Sequence, residues 1–115
     1  MKALVYTQPN EMQIMDRPYP SLDKEEVVLK IESVGICGSD MHAFHGHDPR
    51  RKPGLVLGHE FAGTVVEVGS AVTRIRVGDR VTVPFVCGCG NCRECESGNA
   101  QVCPFQWQPG FNGPG

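Results

Sequence analysis

Four cysteines within fifteen residues restrict what this 115-residue chain can fold into. Cys89, Cys92, Cys95 and Cys103 fall at steps of three, three and eight in the stretch VCGCGNCRECESGNAQVC, Val86 to Cys103. A divalent metal with thiolate ligands takes sulfurs at the corners of a tetrahedron, and Cys-x2-Cys turns present neighbouring corners from one loop. Gly90, Asn91, Gly98 and Asn99 are residues that let such a loop turn tightly. The stretch has too few aliphatic side chains for a core of its own, so it must be anchored on a larger body. The spacing therefore predicts a closed zinc site in a lobe at 87–103. Cys87 stands outside the set, as a spare thiol or a competing ligand. Disulfides are the alternative use. Against them, Met1 runs straight into a strand-like KALVY with no long apolar run, so nothing reads as a secretory signal. In a cytoplasmic chain, clustered cysteines bind metal more often than they form bridges.

Hydrophobic content of 40% and charged content of 21% are those of a globular domain. A net charge of −2 argues against nucleic acid as a partner, since that usually demands a basic face. No apolar run approaches the roughly 20 residues needed to cross a bilayer. Fourteen glycines and nine prolines predict turns and short strands rather than long helices. The length suits one domain with a modest core, and the composition makes that domain mainly β.

Along the chain, Lys2–Thr7 and Met12–Arg17 read as strands joined by a turn at Gln8-Pro9-Asn10. Glu26–Ile36 alternates like a half-buried strand, with Val28, Lys30 and Glu32 on one face and Val27, Leu29 and Ile31 on the other. Ser39–Phe44 reads as a short helix with Ser39 at its N-cap. His45–Pro53 reads as a polar loop full of breakers. Phe61–Val68 is expected as a strand in which Gly63 marks a bulge or a close backbone approach. A further strand is expected at Val81–Val83.

A second group of reactive side chains is spread along this framework. Cys37 follows a strand, and His59 and Glu60 stand together behind Gly58. Singly, a buried cysteine is usually a small hydrophobe and a lone histidine a hydrogen-bonded structural residue. Together, each beside a glycine at a strand end, they form the mixed soft and hard donor set of a catalytic zinc, which needs three protein ligands and an open position. Asp40, three residues after Cys37, is placed to accept the other ring N–H of His59 and fix its tautomer. Ser39 and His42 offer a hydroxyl and an imidazole suited to carrying a proton to solvent. Without the metal they read as a helix cap and a surface histidine.

These residues carry a family resemblance. Gly58-His59-Glu60-x2-Gly63-x5-Gly69-x2-Val72 is similar to the zinc signature of the zinc-dependent medium-chain alcohol and polyol dehydrogenases. Gly35-Ile36-Cys37-Gly38-Ser39-Asp40 and the four lobe cysteines agree with the same family, in the same order. The chain resembles the family's N-terminal part over nearly all of its length. The resemblance implies a GroES-like partial β-barrel with a small zinc-binding lobe, residues 1–115 forming the N-terminal part of that catalytic domain. It implies that Cys37 and His59 bind a catalytic zinc. Glu60 is either a direct ligand, as in sorbitol-type members, or a carboxylate that approaches the metal transiently. Ser39 would accept the substrate's proton, His42 would release it to solvent, and Asp40 would orient His59. Cys89, Cys92, Cys95 and Cys103 would hold a structural zinc. In such a site zinc stabilises the alkoxide of an alcohol or polyol, from which hydride passes to NAD or NADP. A cytoplasmic homo-oligomer, dimer or tetramer, is implied for the complete enzyme.

The family's cofactor domain is not evident here. The nearest glycine pattern, Gly88-Cys89-Gly90-Asn91-Cys92-Arg93, lacks the third glycine and is occupied by metal-ligand cysteines. The tail, ending Gly113-Pro114-Gly115, does not look like a natural C-terminus. The expectation is the front piece of an oxidoreductase, inactive without its cofactor domain. A stand-alone zinc-stabilised binding module is the alternative from another class. The zinc-free quinone reductases of the same superfamily are disfavoured by the intact Cys37, His59 and cysteine lobe.

Overall fold

Two strand-forming runs at the start of the chain pair as a hairpin. Lys2–Gln8 (β1) runs antiparallel to Glu11–Asp16 (β2), with Leu4 opposite Ile14 and Tyr6 opposite Met12. Pro9 and Asn10 make the reversal, with Asn10 in the left-handed conformation at φ 65°. The computed structural model describes residues 1–113 and 115, so Pro114 of the expected unnatural tail lies outside the described residues. Among the described residues it is mostly strands with few helices. A three-stranded antiparallel sheet of Val27–Gly35 (β3), Glu60–Val68 (β4) and Arg80–Thr82 (β5), in the order β3-β4-β5, completes the framework. The expected strands are thus all present, each shifted by a residue or two at its ends.

The clean alternation expected for Glu26–Ile36 is not kept. Register shifts between Val28 and Leu29, and again between Ile31 and Ser33, break the pairing of β3 with β4. Each bulge turns the following side chains over. Val28 is buried while Ile31, Val34 and Ile36 are exposed, so the two-faced pattern does not run the length of the strand. Gly63 explains the second irregularity. A Cβ at Gly63 would collide with the backbone carbonyl of Lys30, which cannot retreat without breaking the sheet. Gly63→Ala is expected to cost about 3 kcal/mol, the upper end for overpacking against backbone. Chemical denaturation checks this, and an unchanged midpoint would contradict the close approach.

The helix after β3 also starts differently from expectation. Gly38–Phe44 (α1) is capped by Cys37, not by Ser39, which lies inside the first turn. The carboxylate of Asp40 reaches back to accept the Cys37 N–H at 3.0 Å, the return arm of a capping box. That contact decides the cap, because Ser39 makes no equivalent bond. The hairpin tip then docks on the far end of α1. Asn10 N–H donates to the Phe44 carbonyl at 2.7 Å, and the Asn10 amide oxygen meets His45 Nδ1 at 2.7 Å.

Residues 54–57 lie along β1, with Tyr6 N–H donating to the Leu55 carbonyl at 2.9 Å and Gly54 N–H donating to that of Tyr6 at 2.7 Å. This delivers His59 and Glu60 to the start of β4 at a fixed place. Among the described residues the buried apolar side chains are few: Val5, Tyr6, Val28, Ala43, Val65, Cys103 and Pro109. A radius of gyration of 15.0 Å, against about 13 Å for a compact chain of this length, reflects the thin core. Two short helical turns not expected from sequence, Arg93–Glu96 (α2) and a 3₁₀ turn at Ala100–Val102, shape the cysteine lobe.

Candidate metal centres

The lobe brings its four cysteines together. The sulfurs of Cys89, Cys92, Cys95 and Cys103 lie within 4.8 Å of one another. Sulfurs at about 2.3 Å from a tetrahedral zinc stand about 3.8 Å apart, and Cys92 Sγ is 3.7 Å from Cys103 Sγ. Local structure explains the convergence. Gly90 and Gly98 take positive φ at 83° and 82°, folding the loop back at either side of α2.

The thiols in this cluster do not titrate alike. Backbone N–H groups of Cys89, at 3.4 Å, and of Phe105, at 3.3 Å, point at Cys103 Sγ. They hold that thiol down to about 7. For Cys92 the backbone bond at Cys95 pulls downwards. Burial and the three neighbouring sulfurs outweigh it and push the group up to about 12. Four sulfurs so close cannot all ionise without a cation among them, and a divalent metal reverses that balance. The donor set and spacing therefore fit a tetrahedral zinc. Cys87 lies outside the cluster. Its N–H and C=O exchange bonds of 2.9 and 2.8 Å with Trp107, and burial pushes its thiol upwards.

The second group converges as well. The sulfur of Cys37, a ring nitrogen of His59 and a carboxylate oxygen of Glu60 lie within 4.8 Å of one another. Cys37 comes from the N-cap of α1, and His59 and Glu60 from the entry to β4. Gly35 faces Glu60 across the β3–β4 pair, and a Cβ there would sit 2.6 Å from Glu60 Oε2. The missing side chain is what lets the carboxylate lie over the strand. These donors open onto a cleft of about 960 Å³ that Ser39 also lines, walled on one side by Phe61, Val83, Phe85 and Phe111. Donors around a zinc at 2.0–2.3 Å stand about 3.3–3.6 Å apart, so the three need to close by at most about 1.5 Å. A soft sulfur, an imidazole and a carboxylate facing an open cleft suit a zinc with a free coordination position.

Asp40 stands behind this group and is buried. Its Oδ1 faces His59 Nδ1 at 3.6 Å, longer than a hydrogen bond. Among the described residues that nitrogen has no hydrogen-bond partner. Oδ1 is instead gripped by Arg51 at 2.8 Å. His42 sits three residues beyond Ser39 on the exposed side of α1 and does not line the cleft. Its ring lies 6.1 Å from that of His47.

Three residues of this neighbourhood were not singled out from the sequence. Arg51 lies in the stretch expected to be a polar loop, yet its side chain is fully buried. Phe85 and Phe111 pack on the His59 ring, with centroids at 4.7 and 5.6 Å. A signal existed for each. An aspartate buried beside a histidine calls for a cation, and a lone aromatic in a glycine- and proline-rich stretch is commonly an anchor. Nearby Asp48, bonded twice by the Arg50 guanidinium, is held down to about 2.

Comparison with known proteins gives a consistent picture. Residues 23–115 match the family described as the alcohol dehydrogenase GroES-like domain. A sorbitol dehydrogenase from Halalkalibacterium halodurans is 43% identical over 106 residues, covering 90% of this chain and 31% of that protein. The alcohol dehydrogenase of Thermus sp. ATN1 superposes with a TM-score of 0.92 at 33% identity, over 99% of this chain and 34% of that one. An Escherichia coli CFT073 alcohol dehydrogenase solved with NADH gives a TM-score of 0.87 at 39% identity, over 100% of this chain and 33% of that one. The chain thus spans about a third of the length of the proteins it matches. With its strand order, its two sets of converging donors and the matched residues, the chain belongs to the alcohol dehydrogenase GroES-like domain family.

Proposed function

We propose that this chain is the metal-binding catalytic part of a zinc-dependent oxidoreductase that passes hydride from an alcohol or polyol to NAD or NADP. The observation that carries the reading is the meeting of Cys37, His59 and Glu60 donors within 4.8 Å at the mouth of a cleft that Ser39 also lines. Zinc bound there supplies a Lewis acid that lowers the pKa of a substrate hydroxyl. Cys37, His59 and Glu60 would hold it, with Asp40 Oδ1 facing His59 Nδ1 from behind at 3.6 Å. Ser39 takes the hydroxyl proton and hands it on, and His42, exposed further along α1, releases it to water. The aromatic wall of Phe85 and Phe111 keeps water from the His59 side of the cleft. Cys89, Cys92, Cys95 and Cys103 bind a second, closed zinc that fixes the lobe at 87–103. Residues 1–115 then form the N-terminal part of one catalytic domain, and the nicotinamide is held elsewhere in the complete enzyme.

The same reading makes the protein a cytoplasmic homo-oligomer with no nucleic acid or membrane partner. Among the described residues no helix is long and apolar enough to cross a membrane, and the net charge is −2. Assay of the complete protein against a panel of alcohols and sugar alcohols, with each nicotinamide, tests the proposal. Zinc-dependent reduction of NAD or NADP by at least one substrate is expected, lost on chelation and restored by zinc. A zinc-loaded protein that turns over none of them would favour the binding-module reading instead.

A further inference from the structure

Arg51 is the most completely buried charge in the neighbourhood, and the proposed chemistry has so far given it no task. Burying a guanidinium is costly unless its donors are well used. Nη1 donates to Asp40 Oδ1 at 2.8 Å and to the Ser39 carbonyl at 3.1 Å. Nη2 donates to Ser39 Oγ at 3.2 Å. The flat face lies on Phe111, 3.5 Å from the ring centroid, and Nε looks towards Asp48 Oδ2 at 3.8 Å. One planar fork therefore grips the carboxylate behind His59 and the hydroxyl that lines the cleft.

We propose that Arg51 is a positioning residue that sets the direction of proton transfer through Ser39 and holds Asp40 against His59; the first half rests on the function proposed above. A guanidinium has donors and no acceptor, so the Arg51–Ser39 bond has only one polarity. Ser39 Oγ carries two lone pairs and one O–H. With one lone pair held by Arg51, the other is left for an incoming proton. The serine's own hydrogen cannot point at Arg51, so it points to an onward acceptor. As one proton arrives on Oγ the original one leaves, and Ser39 ends neutral. Without Arg51 the hydroxyl rotates, and its hydrogen can be donated back towards the substrate oxygen, which stalls the relay. The second arm acts on the metal: a carboxylate tied at Oδ2 to the Cys37 N–H and at Oδ1 to Arg51 keeps a fixed position against His59 Nδ1.

A purely structural arginine, stapling the loop of residues 45–53 to α1, would give a different set of results. The test uses the complete zinc-loaded protein with Arg51→Lys, which keeps the charge and loses the fork, and Arg51→Gln, which loses the charge and keeps a single donor nitrogen. In either variant kcat is expected to fall about 10–100-fold, with KM changing less. The solvent deuterium isotope effect on kcat should rise as proton transfer becomes limiting. Chelator competition should show zinc affinity at Cys37–His59–Glu60 lowered about 10–100-fold while the lobe zinc is retained. The deciding readout is a double-mutant cycle with Ser39→Ala. If Arg51 works through Ser39, its replacement costs kcat almost nothing more in that background. Equal losses with and without Ser39, or unchanged zinc affinity and isotope effect in both Arg51 variants, would overturn the proposal. Absence of any turnover in the unsubstituted protein would instead defeat the functional reading and the Ser39 arm with it, and the zinc-affinity arm would still decide the Asp40 role.

Discussion

Cys37→Ala is expected to leave the complete protein with one bound zinc in place of the two proposed, and its turnover is expected to fall by at least about a thousandfold. The size of the effect follows from what the site must do. An aliphatic alcohol does not lose its proton at neutral pH unaided, and the Lewis acid that lowers that barrier is worth several factors of ten in rate. Two remaining protein donors, His59 and Glu60, one of them exposed, do not make a stable zinc site. Folding should survive. The Cys37 N–H, bonded to the Asp40 carboxylate at 3.0 Å, is the arm of the capping box that alanine keeps. The measurement is metal content per chain together with kcat and the melting temperature. Full activity with two zincs would show that the sulfur of Cys37 is not a ligand. A large fall in melting temperature would mean that its role is packing.

Cys103→Ala acts on the other metal and gives the opposite pattern. Cys103 is the most enclosed of the four lobe cysteines, 1% exposed, and the N–H groups of Cys89 and Phe105 converge on its sulfur. Its removal takes away a proposed ligand and leaves two part-buried N–H donors without their acceptor. The lobe zinc is expected to be lost and the melting temperature to drop by about 10 °C. Amide exchange should accelerate at Cys89, Glu96 and Cys103, whose N–H groups are bonded only within the lobe. The cleft zinc should remain, since none of its donors comes from residues 87–103. Retention of two zincs with an unchanged melting temperature would contradict the structural-zinc assignment.

What was legible in the sequence divides along physical lines. The lobe could be read because its ligand spacing is local: Cys-x2-Cys geometry is a property of one turn and needs no knowledge of the rest of the fold. The strands could be read for the same reason, as short runs rich in aliphatic and β-branched residues bounded by turn residues, such as KALVY and FAGTVVEV. The bulges of β3 could not, because they depend on Gly63 meeting the Lys30 backbone across the sheet. The mixed donor set was half legible. Cys37 and His59 are 22 residues apart, and only glycines beside each, together with a family resemblance, suggested that they meet. Arg51 was the least legible. In HGHDPRRKP nothing local distinguishes it from exposed Arg50 or Lys52, and its burial is decided by Asp40, Ser39 and Phe111 from other parts of the chain. Ser39 was expected as a cap because serine often is one. The cap fell to Cys37 because Asp40, at the third helical position, supplied the return bond.

Anomalous scattering at the zinc edge, from crystals of the complete protein grown under reducing conditions with zinc, tests the central claim most directly. The account predicts two peaks per chain. One lies among the sulfurs of Cys89, Cys92, Cys95 and Cys103, and the other lies between Cys37, His59 and Glu60 at the cleft. A single peak in the lobe would remove the catalytic assignment, and disulfides with no peak at all would remove both.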